Sequence, residues 1–413
     1  ASFQKRRRHA KKSKIYFDHN HVGVRSLCSF LCSARFNNMD KIFHSTFCSY
    51  RNVLHYQTAR FLKIKNTIQL ILLSLLVLPE CVKTSEYSNE LIQKGEKHFK
   101  NLRQLTFSGE NAEAYFSADG KKLIFQAHDG DSLCDQIYIM DIASGSTEMV
   151  STGNGVTTCS FFQYPDDDGI IYASTHMADS DCPPKPDFSM GYIWKLYPGF
   201  DIFRASKNGN NLKRLTNAPG YDAEAVYSFD GQKIIYTSLS TGDLELWTMN
   251  PDGTGKKQLT ERLGYDGGAF YNSDGSKIVW RAYYPESEKE ISDYETLLAA
   301  NAIRPMALQI WTMNSDGTNK KQITDNGAAN FGPFFHPNGK KIIFSSNVHD
   351  KKGRDFDLYT INVDGTGLER ITYFDGFDGF PMFSKDGKYL VFASNRNQKK
   401  RGDTNIFICE WVE

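Results

Sequence analysis

From about Leu102 onward, apolar residues fall into short runs bounded by polar residues and tight-turn signals, and the runs recur along the chain. Lys233–Thr237 (KIIYT) and Leu244–Met249 (LELWTM) have the length and β-branched or aromatic content of strands. Between such runs stand Asp230-Gly231, Asp274-Gly275, Asn338-Gly339 and Asp386-Gly387, dipeptides that readily take the positive φ of tight hairpins. Four segments align in full: LKRLTNAPGYDAEAVYSFDGQKIIYTS, KKQLTERLGYDGGAFYNSDGSKIVWRA, KKQITDNGAANFGPFFHPNGKKIIFSS and LERITYFDGFDGFPMFSKDGKYLVFAS. A first copy begins at Leu102, and a degenerate second runs from Thr152 through FFQYPDDDGIIYAST, so six units are expected. A second hairpin at Asp252-Gly253, Asp316-Gly317 and Asp364-Gly365 gives each unit four strands, A to D.

A lone four-stranded sheet cannot bury both faces, so such units must pack around an axis. The pattern predicts an all-β fold, a six-bladed β-propeller of four-stranded antiparallel blades over residues 101–413. The last unit ends on Asn405–Trp411 (NIFICEW) with no D strand after it, whereas Leu102–Thr106 (LRQLT) matches the D strands KRLT, KQLT, KQIT and ERIT. That N-terminal strand is expected to complete the last blade and remove an open edge.

The S-x-D-G-x-x-I/L and N-x-D-G-T-x-x-x-x-L/I-T elements make the repeats resemble the TolB-type family of periplasmic propellers, over about three quarters of the chain. They are also similar to the propeller that precedes the hydrolase domain of prolyl-oligopeptidase-type peptidases. Neither the extra α/β domain of TolB nor a peptidase domain is expected from the residues present. The TolB resemblance implies a periplasmic scaffold that binds a protein partner without catalysis.

Variable segments fall on one rim, at Ala127–Gln136, Thr175–Phe200, Tyr283–Leu308 and Asn347–Asp357, which places any binding site on that loop face. Glu113, Asp222, Glu224, Asp266 and Asp378 occupy near-equivalent places at the start of strand A and are expected to form an electronegative funnel for a basic peptide or a cation such as calcium. Each acid can instead cap its own turn. Arg281 and Arg396 end B strands on the same rim, and Tyr221, Tyr265 and Phe377 are candidate apolar anchors. Ile291, Tyr294, Leu297 and Leu298 share a face within Glu286–Ile303, predicting a short amphipathic helix across the rim.

Charge divides the chain. Residues 1–65 carry fourteen Lys/Arg against two Asp/Glu, so a net +1 overall leaves the remainder at −11. An acidic globular part argues against nucleic-acid binding. Ile68–Leu78 (IQLILLSLLVL), after Lys63 and Lys65, reads as the apolar core of a secretory leader, too short to span a bilayer comfortably. Cys81 has lipoprotein-box spacing, which would attach the protein to a membrane, but Pro79 and Glu80 are poor substitutes for the usual small residues. Residues 1–100 are therefore expected to be leader and linker, largely without a fold of their own, and the product a periplasmic or secreted monomer.

Export makes a disulfide among Cys134, Cys159 and Cys182 plausible, with Cys409 a buried thiol. His128 with Asp129 and Asp131, and His176 with Asp179 and Asp181, are weak metal candidates that lack the spacing of a zinc or calcium site. The chain contains no G-x-S-x-G elbow, H-E-x-x-H pair or phosphate-binding loop, which disfavours an enzyme. The alternative to a scaffold is a propeller hydrolase or lyase acting on a glycan or peptide through channel-mouth carboxylates, with Glu113, Asp222 and Asp266 as first candidates.

Overall fold

The computed structural model describes residues 89–128, 134–184, 186, 187, 189 and 191–413, all within the unit Cys81–Glu413. The leader-like run, Cys81, Asp129 and Asp131 lie outside the described residues.

The hairpins form where Asp-Gly places them, and the reason is local. In the third unit Asp230 accepts hydrogen bonds from the Ser228 hydroxyl (2.6 Å) and the Gln232 amide (3.0 Å), while Gly231 takes φ +70°. The N-x-D-G-T turns work alike: Asp252, Asp316 and Asp364 each accept from the amide and hydroxyl of the Thr two residues on. These carboxylates are thus occupied by their own turns, which hold their pKa values below the usual range.

Among the described residues the strands make six four-stranded antiparallel blades. The closing strand β1 (Phe99–Gln104) comes first. Blade 1 is β2 (Glu110–Phe116), β3 (Lys122–His128), β4 (Gln136–Asp141) and β5 (Thr147–Met149). Blade 2 is β6 (Thr157–Phe162), β7 (Gly169–Ser174), β9 (Asp201–Ser206) and β10 (Lys213–Arg214), with β8 (Trp194–Lys195) outside it. Blade 3 is β11 (Asp222–Tyr227), β12 (Ile234–Ser238), β13 (Glu245–Met249) and β14 (Lys257–Gln258). Blade 4 is β15 (Tyr265–Tyr271), β16 (Lys277–Tyr283), β18 (Gln309–Asn314) and β19 (Lys321–Gln322), with β17 (Ala302–Ile303) outside it. Blade 5 is β20 (Asn330–Phe335), β21 (Lys341–Ser346), β22 (Asp357–Asn362) and β23 (Glu369–Arg370). Blade 6 is β24 (Asp378–Phe383), β25 (Tyr389–Ser394) and β26 (Asn405–Trp411), completed by β1.

Closure is as expected, with Arg103 opposite Ile408 and Gln104 opposite Phe407. The Leu/Ile-Thr element explains the equivalence. The hydroxyls of Thr216, Thr260, Thr324 and Thr372 each accept from the backbone N–H of the neighbouring C strand, at Ile202, Leu246, Ile310 and Leu358. In blade 6 the same bond runs from Ile406 N–H to Thr106, about 300 residues earlier in the chain.

One α-helix is present among the described residues, α1 (Glu288–Ala299), begun by a capping box between Ser287 and Glu290. It buries Tyr294 and Leu297, and the Tyr294 hydroxyl donates to Asp243 or the Gly264 carbonyl. The helix leads into β17, which pairs with β8, so the two longest insertions, from blades 2 and 4, join in a small sheet of their own.

Candidate functional site

All six innermost strands carry the same irregularity. Pairing with strand B shifts register after the second or third residue, as between Ala112 and Tyr115 in blade 1 and between Gly267 and Phe270 in blade 4. The residues at the bulge are Glu113, Cys159, Glu224, Gly268, Gly332 and Phe380, every one at φ between +52° and +59°. Four are not glycine and bear the cost of that conformation, about 1–3 kcal/mol each. Below this ring the aligned Tyr115, Phe161, Val226, Phe270, Phe334 and Met382 are buried. Tyr115 and Phe334 both meet Phe270 edge-on at 5.3 Å, so the axis is plugged and the channel becomes a cup open to the loop face.

The floor of the cup is ionic. Glu224 accepts from the Thr237 hydroxyl (2.8 Å), the Tyr265 hydroxyl (3.2 Å) and the Gly268 amide (2.9 Å), and pairs with Arg281. Gly268 makes room for this pair, since a Cβ at that position would stand 2.1 Å from Arg281 Nη1 and displace the guanidinium. Arg281 lies between the rings of Trp194 and Tyr265, at 5.2 and 5.6 Å. Burial disfavours its charge, but Glu224, Tyr265, Glu113 and Cys159 together outweigh that and keep its pKa above the usual value. Glu113 lines the same floor; burial pushes its pKa up to about 7 against the pull of Arg281, with Glu224 adding to the rise. Burial, then Glu113 and Glu224, raise the Cys159 thiol well above its normal range, so it stays protonated and is a poor nucleophile.

The cup has a volume of about 1050 Å³. Blades 5 and 6 face it with Phe331, Phe356, Phe377 and Phe380, while the insertions contribute Tyr192, Trp194, Ile303 and Met306. Lys195, Lys351, Lys352 and Arg354 stand around its mouth. Asp350 is there too, but its carboxylate accepts from the amides of Lys352, Arg354 and Asp355.

The sequence-derived candidates divide into two groups. Glu113, Glu224, Arg281, Tyr221, Tyr265 and Phe377 all line the cup. Asp222, Asp266, Asp378 and Arg396 do not; they lie buried between blades. Asp222 accepts from the Ser238 hydroxyl at 2.5 Å, and burial raises its pKa. Asp266 accepts from Trp280 Nε1 (2.5 Å) and the Tyr284 hydroxyl (2.6 Å); burial lifts it to about 7, and the adjoining Glu245 to about 8. Asp378 accepts from Arg396, which also holds Glu96. No funnel of five converging acids forms, because the first residue of strand A points between blades, and the bulge two residues later carries its side chain to the cup. Asn111-Ala112-Glu113, Asp222-Ala223-Glu224 and Asp266-Gly267-Gly268 stand in one column of the repeats, but the column does not show the bulge that separates their directions. Nothing in the sequence marked Trp194 or Phe356, which come from variable loops.

Cys134 and Cys182 form a disulfide, tying the loop before β4 in blade 1 to the loop after β7 in blade 2, and Cys159 and Cys409 are thiols. His128 pairs with Asp135 (2.5 Å) and His176 contacts the Ser174 hydroxyl (2.8 Å), and among the described residues neither joins a group of three metal-ligating side chains. Among the described residues such a group is His349, Asp355 and Asp357, with ligand atoms within 4.8 Å of one another. There Asp357 is already ion-paired with Arg370 and His349.

No protein-family model matches the chain, and no curated protein matches it. Solved structures similar to it include a putative TolB from Agrobacterium tumefaciens (19% identity over 74% of this chain and 91% of that one, TM-score 0.49). TolB from Acinetobacter baumannii is 18% identical over 65% of this chain and 55% of that one, with a TM-score of 0.48. A gluconolactonase from Xanthomonas campestris is 9% identical over 76% and 91%, with a TM-score of 0.50. At these identities the likeness concerns the fold alone.

Proposed function

We propose that this six-bladed propeller is a non-catalytic scaffold, periplasmic or secreted, that captures a peptide segment of a protein partner in its loop-face cup. One observation carries the reading: a cavity of about 1050 Å³ open to the loop face, with a phenylalanine wall from blades 5 and 6 and a floor where Glu224 and Arg281 are ion-paired. Glu224 is committed to Arg281 and three other donor groups, and burial with Glu113 and Glu224 beside it holds Cys159 as a thiol, so neither is a ready nucleophile. The Cys134–Cys182 disulfide supports an oxidising compartment, in line with the TolB-type resemblance of the repeats.

A second reading rests on Glu113, whose pKa near 7 suits a general acid or base of a hydrolase or lyase. The two readings separate in one experiment. A photo-crosslinking residue at Met306, on the mouth of the cup, should trap a partner in envelope extracts. The same residue at Lys385, on the opposite rim, should not, and Ala328→Trp, which fills the mouth, should abolish the trap. Glu113→Gln should leave partner capture within a fewfold of wild type. Loss of a measured turnover in that variant, with no partner trapped, would favour the enzyme.

A further inference from the structure

Resting on that reading, we propose that the captured segment enters carboxylate first, with an acidic side chain or free C-terminus meeting Arg281 and an adjacent apolar side chain filling the phenylalanine wall.

The first observation is an unused donor. The Arg281 side chain is only 9% exposed; its Nε donates to the Tyr265 hydroxyl at 3.1 Å and its Nη2 to Glu224. Nη1 has no acceptor among the described residues and packs where Gly268 has no Cβ, on a residue that lines the floor of the cup. A guanidinium directs five N–H groups in a fixed fork, so the edge that Glu224 and Tyr265 leave unused can donate to an acceptor entering the cup. A carboxylate is the acceptor that fits a guanidinium edge best.

Charge points the same way. Arg281 and Glu224 cancel, leaving Glu113 as the remaining acid on the floor. The groups acting on Glu113 are Arg281, Glu224, the Cys159 thiol and Asp135, and Tyr115 is beside it. Desolvation among them keeps Glu113 protonated below about pH 7, so that it donates to an incoming carboxylate instead of repelling it. At the mouth, Lys351, Lys352 and Arg354 form no ion pair with described residues, and Lys195 donates to the Ala300 carbonyl. With Asp350 bound up in its own turn, the mouth is a positive field that draws an anion inward. This is the reverse of the basic ligand that the sequence alone suggests. Opposite the ionic floor, Phe331, Phe356, Phe377 and Phe380 offer no polar atoms, so the acid must be accompanied by apolar surface.

The test is a random peptide library panned on the full chain, with enriched clones remade as free acids and as amides. Clones should carry Asp or Glu, or depend on a free C-terminus, beside an aromatic or large aliphatic residue. Their affinity should fall about tenfold or more on Lys351→Glu/Lys352→Glu/Arg354→Glu, an exposed change that preserves the fold, and should weaken with added salt and above neutral pH. The amide arm tells a terminal carboxylate from a side-chain one. Arg281→Gln should abolish the preference for acid; since it unpairs Glu224, its thermal melt is taken alongside. Enriched clones that are neutral or basic, yet lost on Ala328→Trp, would overturn the carboxylate and leave the scaffold reading standing. Clones that bind Ala328→Trp as well as wild type, or no enrichment at all, would overturn both.

Discussion

Replacing Arg396 by Met tests whether the ring is locked where its N-terminal segment docks. The guanidinium is buried and donates to Glu96 Oε1 (2.9 Å) and Oε2 (3.1 Å), to Asp378 Oδ2 (2.7 Å), to the Ser394 hydroxyl (3.1 Å) and to the Leu91 carbonyl (3.2 Å). Glu96, equally buried, also accepts from the Gln93 and Tyr373 amides, so one cation fastens residues 91–96 to blades 5 and 6. Methionine approximates the stem but strands two carboxylates, and removing one partner of a buried ionic group costs about 3–5 kcal/mol. For a propeller of roughly 300 residues, an unfolding entropy of about 2.1 cal/mol/K per residue converts this into a Tm lower by about 5–8 °C. The loss should shrink at lower pH as the stranded acids take protons, and Glu96→Gln on top of Arg396→Met should recover part of it. Calorimetry at two pH values, with limited proteolysis of the 89–98 segment, provides the readout. An Arg396→Met melt within about a degree of wild type at pH 7 would show that the triad does not hold the closure.

Further outcomes follow from the same geometry. Burial raises the adjoining Glu245 and Asp266 carboxyls well above their usual values of 4.5 and 3.8, so the fold favours a proton on this pair. Their contribution is complete below the unfolded values and is lost as pH rises through the folded ones; urea midpoints should therefore fall between about pH 4 and 8, and Asp266→Asn should flatten the slope. Asp222→Asn should leave ligand binding in the cup unchanged, because Asp222 is sealed between blades, and an altered affinity by titration calorimetry would contradict its placement. Phe270→Ala, which removes the centre of the plug, should cost about 3–5 kcal/mol in urea unfolding. Reducing Cys134–Cys182, 48 residues apart, should cost at most about 4 kcal/mol on a chain-entropy basis, measured as the Tm difference with and without reductant.

Strands, turns, blade number and ring closure were all legible in the chain, because each depends on chemistry acting over a few residues. Asp230 builds its turn from Ser228 and Gln232, and Thr106 is recognisable because it occupies the place that Thr216 or Thr372 holds in its own blade. Side-chain destinations were not legible in this way. Asp222 and Glu224 look alike as acids two residues apart, yet a bulge sends one between blades and the other to the cup, where it meets Arg281, 57 residues away. The pairing of β8 with β17, the choice of Cys182 over Cys159 as partner of Cys134, and the sign of the charge at the mouth likewise arise between segments far apart in sequence. Periodicity records which faces must be buried; only the closed ring decides what each buried face encounters.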